Sequence, residues 1–162
     1  MAPAPSAWIS NPADYENSYP YICRNYKLIG FMEIEIFTLC DYAQDMMGKM
    51  IIVGTFDTIF PKQYPCLHSS CCISLRLRFS EEEQGQHKLK LRLIDSKGKE
   101  IISNIEGNIQ VQTPIKGHHS TVNFALQLNQ LKFETPGKYA FELFIDNDWR
   151  SGLPLLLSEI KV

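Results

Sequence analysis

The stretches Cys71-Cys72-Ile73-Ser74-Leu75-Arg76-Leu77-Arg78-Phe79 and His87-Lys88-Leu89-Lys90-Leu91-Arg92-Leu93-Ile94-Asp95 decide the fold. In both, apolar and polar residues alternate with a period of two. A strand sends successive side chains to opposite faces, so this period puts one face into a core and leaves the other in water. Ile73, Leu75, Leu77 and Phe79 form the inward row of the first stretch, and Leu89, Leu91 and Leu93 that of the second. The polar link Glu81–Gln86 contains Gly85 and suits a turn, so the two stretches are expected to pair as arms of one β-hairpin. In that register Leu77 meets Leu89, Leu75 meets Leu91 and Ile73 meets Leu93.

The alternation recurs outward from this centre. Met32, Ile34, Ile36 and Thr38 share one parity, with Glu33 and Glu35 on the other. Asp41 to Gly48 reads as a polar interruption with room for one helical turn. Lys49 to Phe60 is apolar on both parities, which predicts a strand covered on both sides. Pro61 and Pro65 force a loop. Ser96-Lys97-Gly98-Lys99 is a tight turn, and a strand within 100–113 is expected to break near Gly107. After a loop from Pro114 to Ser120, Val122, Phe124, Leu126 and Leu128 alternate with polar residues. Pro136-Gly137 and Asp146-Asn147-Asp148 bracket the inward row Tyr139, Phe141, Leu143 and Ile145. The last strand, interrupted near Gly152 and Pro154, runs toward Val162. About seven or eight strands with tight turns and no long amphipathic helix predict an all-β fold, an antiparallel two-sheet β-sandwich.

A chain of 162 residues suits one domain. Its 16 basic and 18 acidic side chains leave a net charge of −2, with no global attraction for nucleic acid or an anionic membrane. No apolar run reaches the roughly 18–20 residues of a spanning helix. Residues 1–31 stand apart: Pro3, Pro5, Pro12 and Pro20 are scattered among Trp8, Tyr15, Tyr19, Tyr21 and Tyr26 with no period. They are read as an irregular extension, either a strap across the sandwich or an addition ahead of a natural start at Met32, and the β-sandwich domain is placed at 32–162. The N-terminal stretch has neither a basic nor an apolar leader region, and the cysteines number five, an odd count. Free thiols in a reducing, cytoplasmic compartment are therefore expected.

Several short pieces, in order, carry a family likeness: Leu39-Cys40-Asp41-Tyr42-Ala43, then Gly48-Lys49 and Val53-Gly54-Thr55-Phe56-Asp57, then Gly85-Gln86-His87-Lys88-Leu89, and the run from Leu131 to Leu143. Over about residues 32–160 the chain resembles a family of small bacterial proteins of unknown function. The resemblance implies a β-sandwich-like bacterial domain and carries no catalytic assignment.

Cys66, His68, Cys71 and Cys72 crowd into seven residues, and thiolates with imidazole can hold zinc. Cys71 and Cys72 would however point to opposite faces of a strand, so an inward Cys71 acting as a small hydrophobe and an outward Cys72 are favoured. A nucleophilic cysteine needs a base in hydrogen-bond reach. His68, His118 and His119 are available, and His118-His119 fits an exposed loop. No phosphate-binding glycine loop and no G-x-S-x-G elbow occurs. No catalytic residue, metal or cofactor is assigned. Asp146-Asn147-Asp148 fits a turn better than a calcium loop.

The outer face of the expected hairpin carries the binding candidates. Its register sets Arg78 opposite Lys88 and Arg76 opposite Lys90, with Arg92 beside them, and like charges directly opposite are destabilising. Glu33, Glu35 or Glu142 on a neighbouring strand can neutralise them; an acidic partner surface can do the same. No aromatics interleave with these cations, so nucleic acid is the weaker partner. The expectation is a cytoplasmic bacterial non-catalytic interaction module. It binds another protein through a sheet face or edge, with Arg76, Arg78, Lys88, Lys90 and Arg92 as the patch and self-association left open. The alternative is carbohydrate or small-ligand binding on an amide-rich face bearing Asn108, Gln110, Gln112, Asn123, Gln127 and Asn129.

Overall fold

The computed structural model describes residues 32–112 and 118–159. The expectations for residues 1–31, and for most of the loop before Ser120, lie outside the described residues. The described chain is all-β and forms two sheets. In order its strands are β1 (Glu33–Met46), β2 (Lys49–Phe56), β3 (Thr58–Ile59), β4 (Cys66–Phe79), β5 (Gly85–Asp95), β6 (Ile105–Val111), β7 (Ser120–Phe133), β8 (Gly137–Ile145) and β9 (Asp148–Leu157). One sheet has the order β2-β1-β4-β7 and the other β3-β9-β8-β5-β6. Among the described residues nine strands thus stand where seven or eight were expected, and the two-residue β3 runs parallel to β9. Among the described residues no helix is long and apolar enough to cross a membrane.

The inward rows read from the sequence do line the core. Ile73, Leu75, Leu77 and Phe79 of β4 are buried with Leu91, Leu93 and Phe141 of the other sheet in one cluster. The pairing of the two decisive stretches is corrected. β4 pairs with β1 and β7, whereas β5 pairs with β6 and β8, so they belong to different sheets and form no hairpin. The reason lies in the link. Ser80–Glu83 closes a 3-10 turn through the Glu83 N–H to the Ser80 carbonyl at 3.2 Å. The Glu83 carboxylate accepts from the Ser80 N–H at 2.9 Å, the Ser80 hydroxyl at 3.1 Å and the Met32 N–H at 2.6 Å. This corner turns the chain out of one sheet and into the other. The like charges set face to face by the hairpin register are never brought together.

Four further expectations change. The stretch from Asp41 is not an interruption, because β1 continues to Met46. It then turns through Met47 (φ 52°) and Gly48 (φ 82°), a two-residue hairpin of the kind whose twist suits flanking strands. Gly48 donates its N–H to the Asp45 carboxylate at 2.8 Å. The parity of β1 switches at a register shift between Ile34 and Ile36, so Phe37 and Leu39 join the core in place of Ile36 and Thr38. β2, expected to be covered on both sides, is an edge strand whose Ile51 and Val53 are exposed. Finally, β6 runs through Gly107 and β9 through Gly152 and Pro154 without a break. The turn after Asp95 forms as read: its carboxylate accepts the Lys97 and Lys99 N–H groups at 2.8 and 2.9 Å.

Candidate functional site

The five candidate cations divide between the sheets. Arg76 and Arg78 stand on β4, and Lys88, Lys90 and Arg92 on β5. The bulge at Glu35 turns its carboxylate onto both arginines of β4. Arg76 Nε bonds it at 2.6 Å and Arg78 ion-pairs with its other oxygen. Arg76 also donates to the Asn123 side chain at 2.8 Å. Across the other sheet Arg92 is opposite Glu142, with Nε 2.6 Å from its carboxylate, and lies 3.8 Å from Glu100. Three of the five cations are therefore neutralised by neighbouring carboxylates.

Lys88 and Lys90 differ. Among the described residues neither has a carboxylate within ion-pair distance. The ladder sets Glu106, Lys90, Phe144 and Trp149 in one row across β6, β5, β8 and β9. The Lys90 ammonium lies 6.0 Å from the Phe144 ring centroid and the Arg92 guanidinium 5.1 Å from it, within cation–π range. Trp149 is 58% exposed. Beside this row is a depression of about 290 Å3 lined by Lys88, Lys90, Glu106, Gly107, Asn108 and Asn147. Trp149 escaped notice in the sequence because it directly follows the Asp146-Asn147-Asp148 turn, outside any alternating run.

His87 takes a core-facing position on β5 just before this row. Its Nδ1 is 2.7 Å from the Asp146 carboxylate and its Nε2 2.8 Å from the Glu83 carbonyl. Burial alone would lower its pKa; the Glu83 carbonyl and then Asp146 outweigh that and raise it. Asp146 is itself held low: burial opposes this, but the Lys88 N–H at 2.8 Å and the His87 ring prevail. Asp146 (φ 55°) and Asn147 (φ 70°) form the β8–β9 turn, so the turn reading of this acidic run holds.

The cysteines do not assemble with a histidine. Cys71 is buried in the main core; Cys72 takes the opposite face of β4, as expected, but is buried there with Cys40 and Ala43 in a second small cluster. Burial pushes the Cys40 and Cys71 thiols up to about 11 and raises Cys72 and Cys66 as well. Protonated thiols are poor nucleophiles. His68 packs its ring on Phe56, 5.9 Å between centroids, and His118 and His119 are exposed. Among the described residues no three His, Cys, Asp or Glu side chains gather as a metal site. The amide-rich surface divides too: Asn108 and Gln110 lie on β6, and Asn123, Gln127 and Asn129 on β7 of the other sheet. Gln127 is already engaged with the Ser70 hydroxyl at 3.1 Å.

Fold and surface together define a two-sheet all-β protein in which the half-buried Lys90 and Phe144 and the exposed Trp149 share a row across one sheet face. Residues 35–158 match DUF6941, a family of unknown function. The chain belongs to that family. No curated protein gave a significant match.

Proposed function

We propose that the protein is a non-catalytic interaction module that binds an acidic surface of another protein through the outer face of the β3-β9-β8-β5-β6 sheet. One observation carries this reading: of the five candidate cations, Lys88 and Lys90 alone are left without a carboxylate partner among the described residues, beside the half-buried Phe144 and the exposed Trp149. Tryptophan contributes large contact area at the centre of interfaces, and unpaired cations steer an acidic partner. The two sheets then stack as a sandwich, with this outer face free for a partner. A bacterial cytoplasm is the setting we infer; the unpaired thiols of Cys40, Cys66, Cys71 and Cys72 agree with a reducing compartment.

Carbohydrate binding is the less supported reading, because its amides are split between two sheets and Asn123 and Gln127 are occupied. The test is cross-linking in a bacterial host that carries the gene, with the Lys88→Glu/Lys90→Glu and Trp149→Ala variants beside wild type. A partner joined at this face should be lost in both variants and retained in Arg76→Gln. A partner profile untouched by both would remove the assignment. Saturable glycan binding lost in Asn108→Ala would replace it with the rival.

A further inference from the structure

β2 is the outer strand of the β2-β1-β4-β7 sheet, and among the described residues no strand pairs with its free side. Its sequence, Lys49-Met50-Ile51-Ile52-Val53-Gly54-Thr55-Phe56, has one charge and no proline. Natural edges are usually protected by charges, proline or shortness, since an open row of N–H and C=O groups invites another strand. Of the other edges, β3 has only two residues, β6 carries the charge of Glu106, and β7 sets the polar Asn123, Gln127, Asn129 and Lys132 along its length. The β2 edge does not. Of the nine large exposed hydrophobic residues among the described residues, five lie in the β1–β2 hairpin: Tyr42, Met46, Met47, Ile51 and Val53. Such a concentration marks an association surface.

The charges at the two ends of β2 select the occupant. Lys49 opens the strand, and Asp57 lies just past its end at the bend where the chain leaves for β3, its carbonyl accepting the Leu156 N–H at 2.8 Å. Among the described residues the Asp57 side chain has no basic partner, and Lys49 has no carboxylate within ion-pair distance. The Asp41 carboxylate lies over Gly54, close enough that a Cβ there would sit 2.9 Å from its Cγ. Asp45, beside Lys49, is engaged by the Gly48 N–H at 2.8 Å, whereas Asp41 and Asp57 both add negative charge at the far end, so the two ends of the edge differ in charge. An antiparallel neighbour with the same charge order matches both ends, and a second copy of this chain has that order by identity. We propose that β2 pairs with β2 of a second copy about a two-fold axis at Val53. Val53 then faces its own counterpart, Ile51 faces Thr55, and Lys49 faces Asp57 twice. The pairing is isologous, so it consumes the edge and closes at a dimer, joining two four-stranded sheets into one continuous sheet. The proposed acidic-partner face on the other sheet is not used.

Sedimentation velocity of the full chain across a dilution series ending near about 100 µM tests this, because dimer content follows concentration. Wild type should sediment as a dimer. Val53→Lys should be a monomer with the circular dichroism of wild type, which separates lost pairing from lost folding. Lys49→Asp should weaken the dimer at least about tenfold and adding Asp57→Lys should restore it. Val53→Cys should form a linked dimer on oxidation, with peptide mapping placing the disulfide between the two introduced thiols. Lys88→Glu/Lys90→Glu should leave the dimer unchanged, so the two proposals stand or fall separately. A monomeric wild type at the highest concentration, or a dimer that survives Val53→Lys, would overturn the inference.

Discussion

His87 stacks on Phe79, with ring centroids 5.1 Å apart and planes inclined by 29°. The two residues end the inward rows of β5 and β4, so the contact ties one sheet to the other at the corner that joins them. The same ring bridges the Glu83 carbonyl of the corner and the Asp146 carboxylate of the β8–β9 turn. Phe79 is fully buried and only 17% of the His87 side chain is exposed, so the bond to the Glu83 carbonyl is shielded, while Asp146, 45% exposed, leaves its own bond open to solvent.

The corner makes stability depend on pH. Both nitrogens of an imidazole donate only when it is protonated. The folded-state pKa of His87 lies above its ordinary value of 6.5, so protonation favours folding. The gain is complete below that ordinary value and disappears as pH rises through the higher folded-state one. Thermal unfolding at pH 5.5 and 8.5 should show wild type losing about 0.5–2 kcal/mol relative to His87→Gln on going to the higher pH. Parallel profiles for the two proteins would remove the bridge from the account of stability.

Period two reveals which residues face the core and conceals where the neighbour is. Leu75 and Leu91 are both completely buried, as the alternation requires. A hairpin would place them side by side in one sheet, and the corner places them in two sheets. Both arrangements satisfy the same pattern. The discriminating signals were weaker: the Ser80 and Glu83 pair that organises the corner, and the repulsion that the hairpin register would impose on Arg78 and Lys88. That repulsion was evidence about topology as much as about function.

The topology has a direct energetic test. Strands in one hairpin would couple Arg78 to Lys88, and charge removal there would give a measurable interaction energy. In separate sheets a double-mutant cycle with Arg78→Ala and Lys88→Ala should return about zero, within the ~0.3–0.5 kcal/mol usual for independent sites. Arg76→Ala with Glu35→Ala should instead couple by about 0.5–2 kcal/mol, since Glu35 is only 20% exposed and bonds Arg76 at 2.6 Å. A coupling for Arg78 and Lys88 as large as that for Arg76 and Glu35 would contradict the strand order.

Much less of the candidate site was legible. The outward parity of all five cations could be read, and so could Glu33, Glu35 and Glu142 as candidate neutralisers, of which, among the described residues, Glu35 and Glu142 form the ion pairs and Glu33 does not. Which cations would remain unpaired could not, because Glu35 reaches Arg76 and Arg78 through a bulge whose position no period announces. The aromatic half of the row was hidden for a similar reason. Phe144 and Trp149 become neighbours only through the β8–β9 register.

The thiols provide another check. Cys40 and Cys71 are pushed up to about 11 because burial disfavours their thiolates, and Cys72 is buried beside Cys40. Alkylation at pH 8 followed by peptide mapping should find these three modified only as the protein unfolds. Cys66, half-buried at the start of β4, should react sooner. Prompt labelling of Cys71 or Cys72 in the folded protein would contradict their placement and return them to consideration as reactive groups.

Gly54 gives the sharpest test of local geometry. Its φ of 68° is a conformation that residues with a Cβ adopt at a cost, and the space for a Cβ is already held by the Asp41 carboxylate, with Cγ at 2.9 Å and Oδ2 in closer contact still. Gly54→Ala therefore incurs two penalties, backbone strain of about 1 kcal/mol or more and displacement of a carboxylate. Asp41→Gly removes the second penalty and leaves the first. Denaturant unfolding should show Gly54→Ala destabilised by about 1–3 kcal/mol, with the double variant recovering part of that loss. Full recovery would mean that the backbone at 54 is unstrained. No recovery would mean that Asp41 does not lie over Gly54, and the carboxylate placed at the end of the β2 edge would lose its basis.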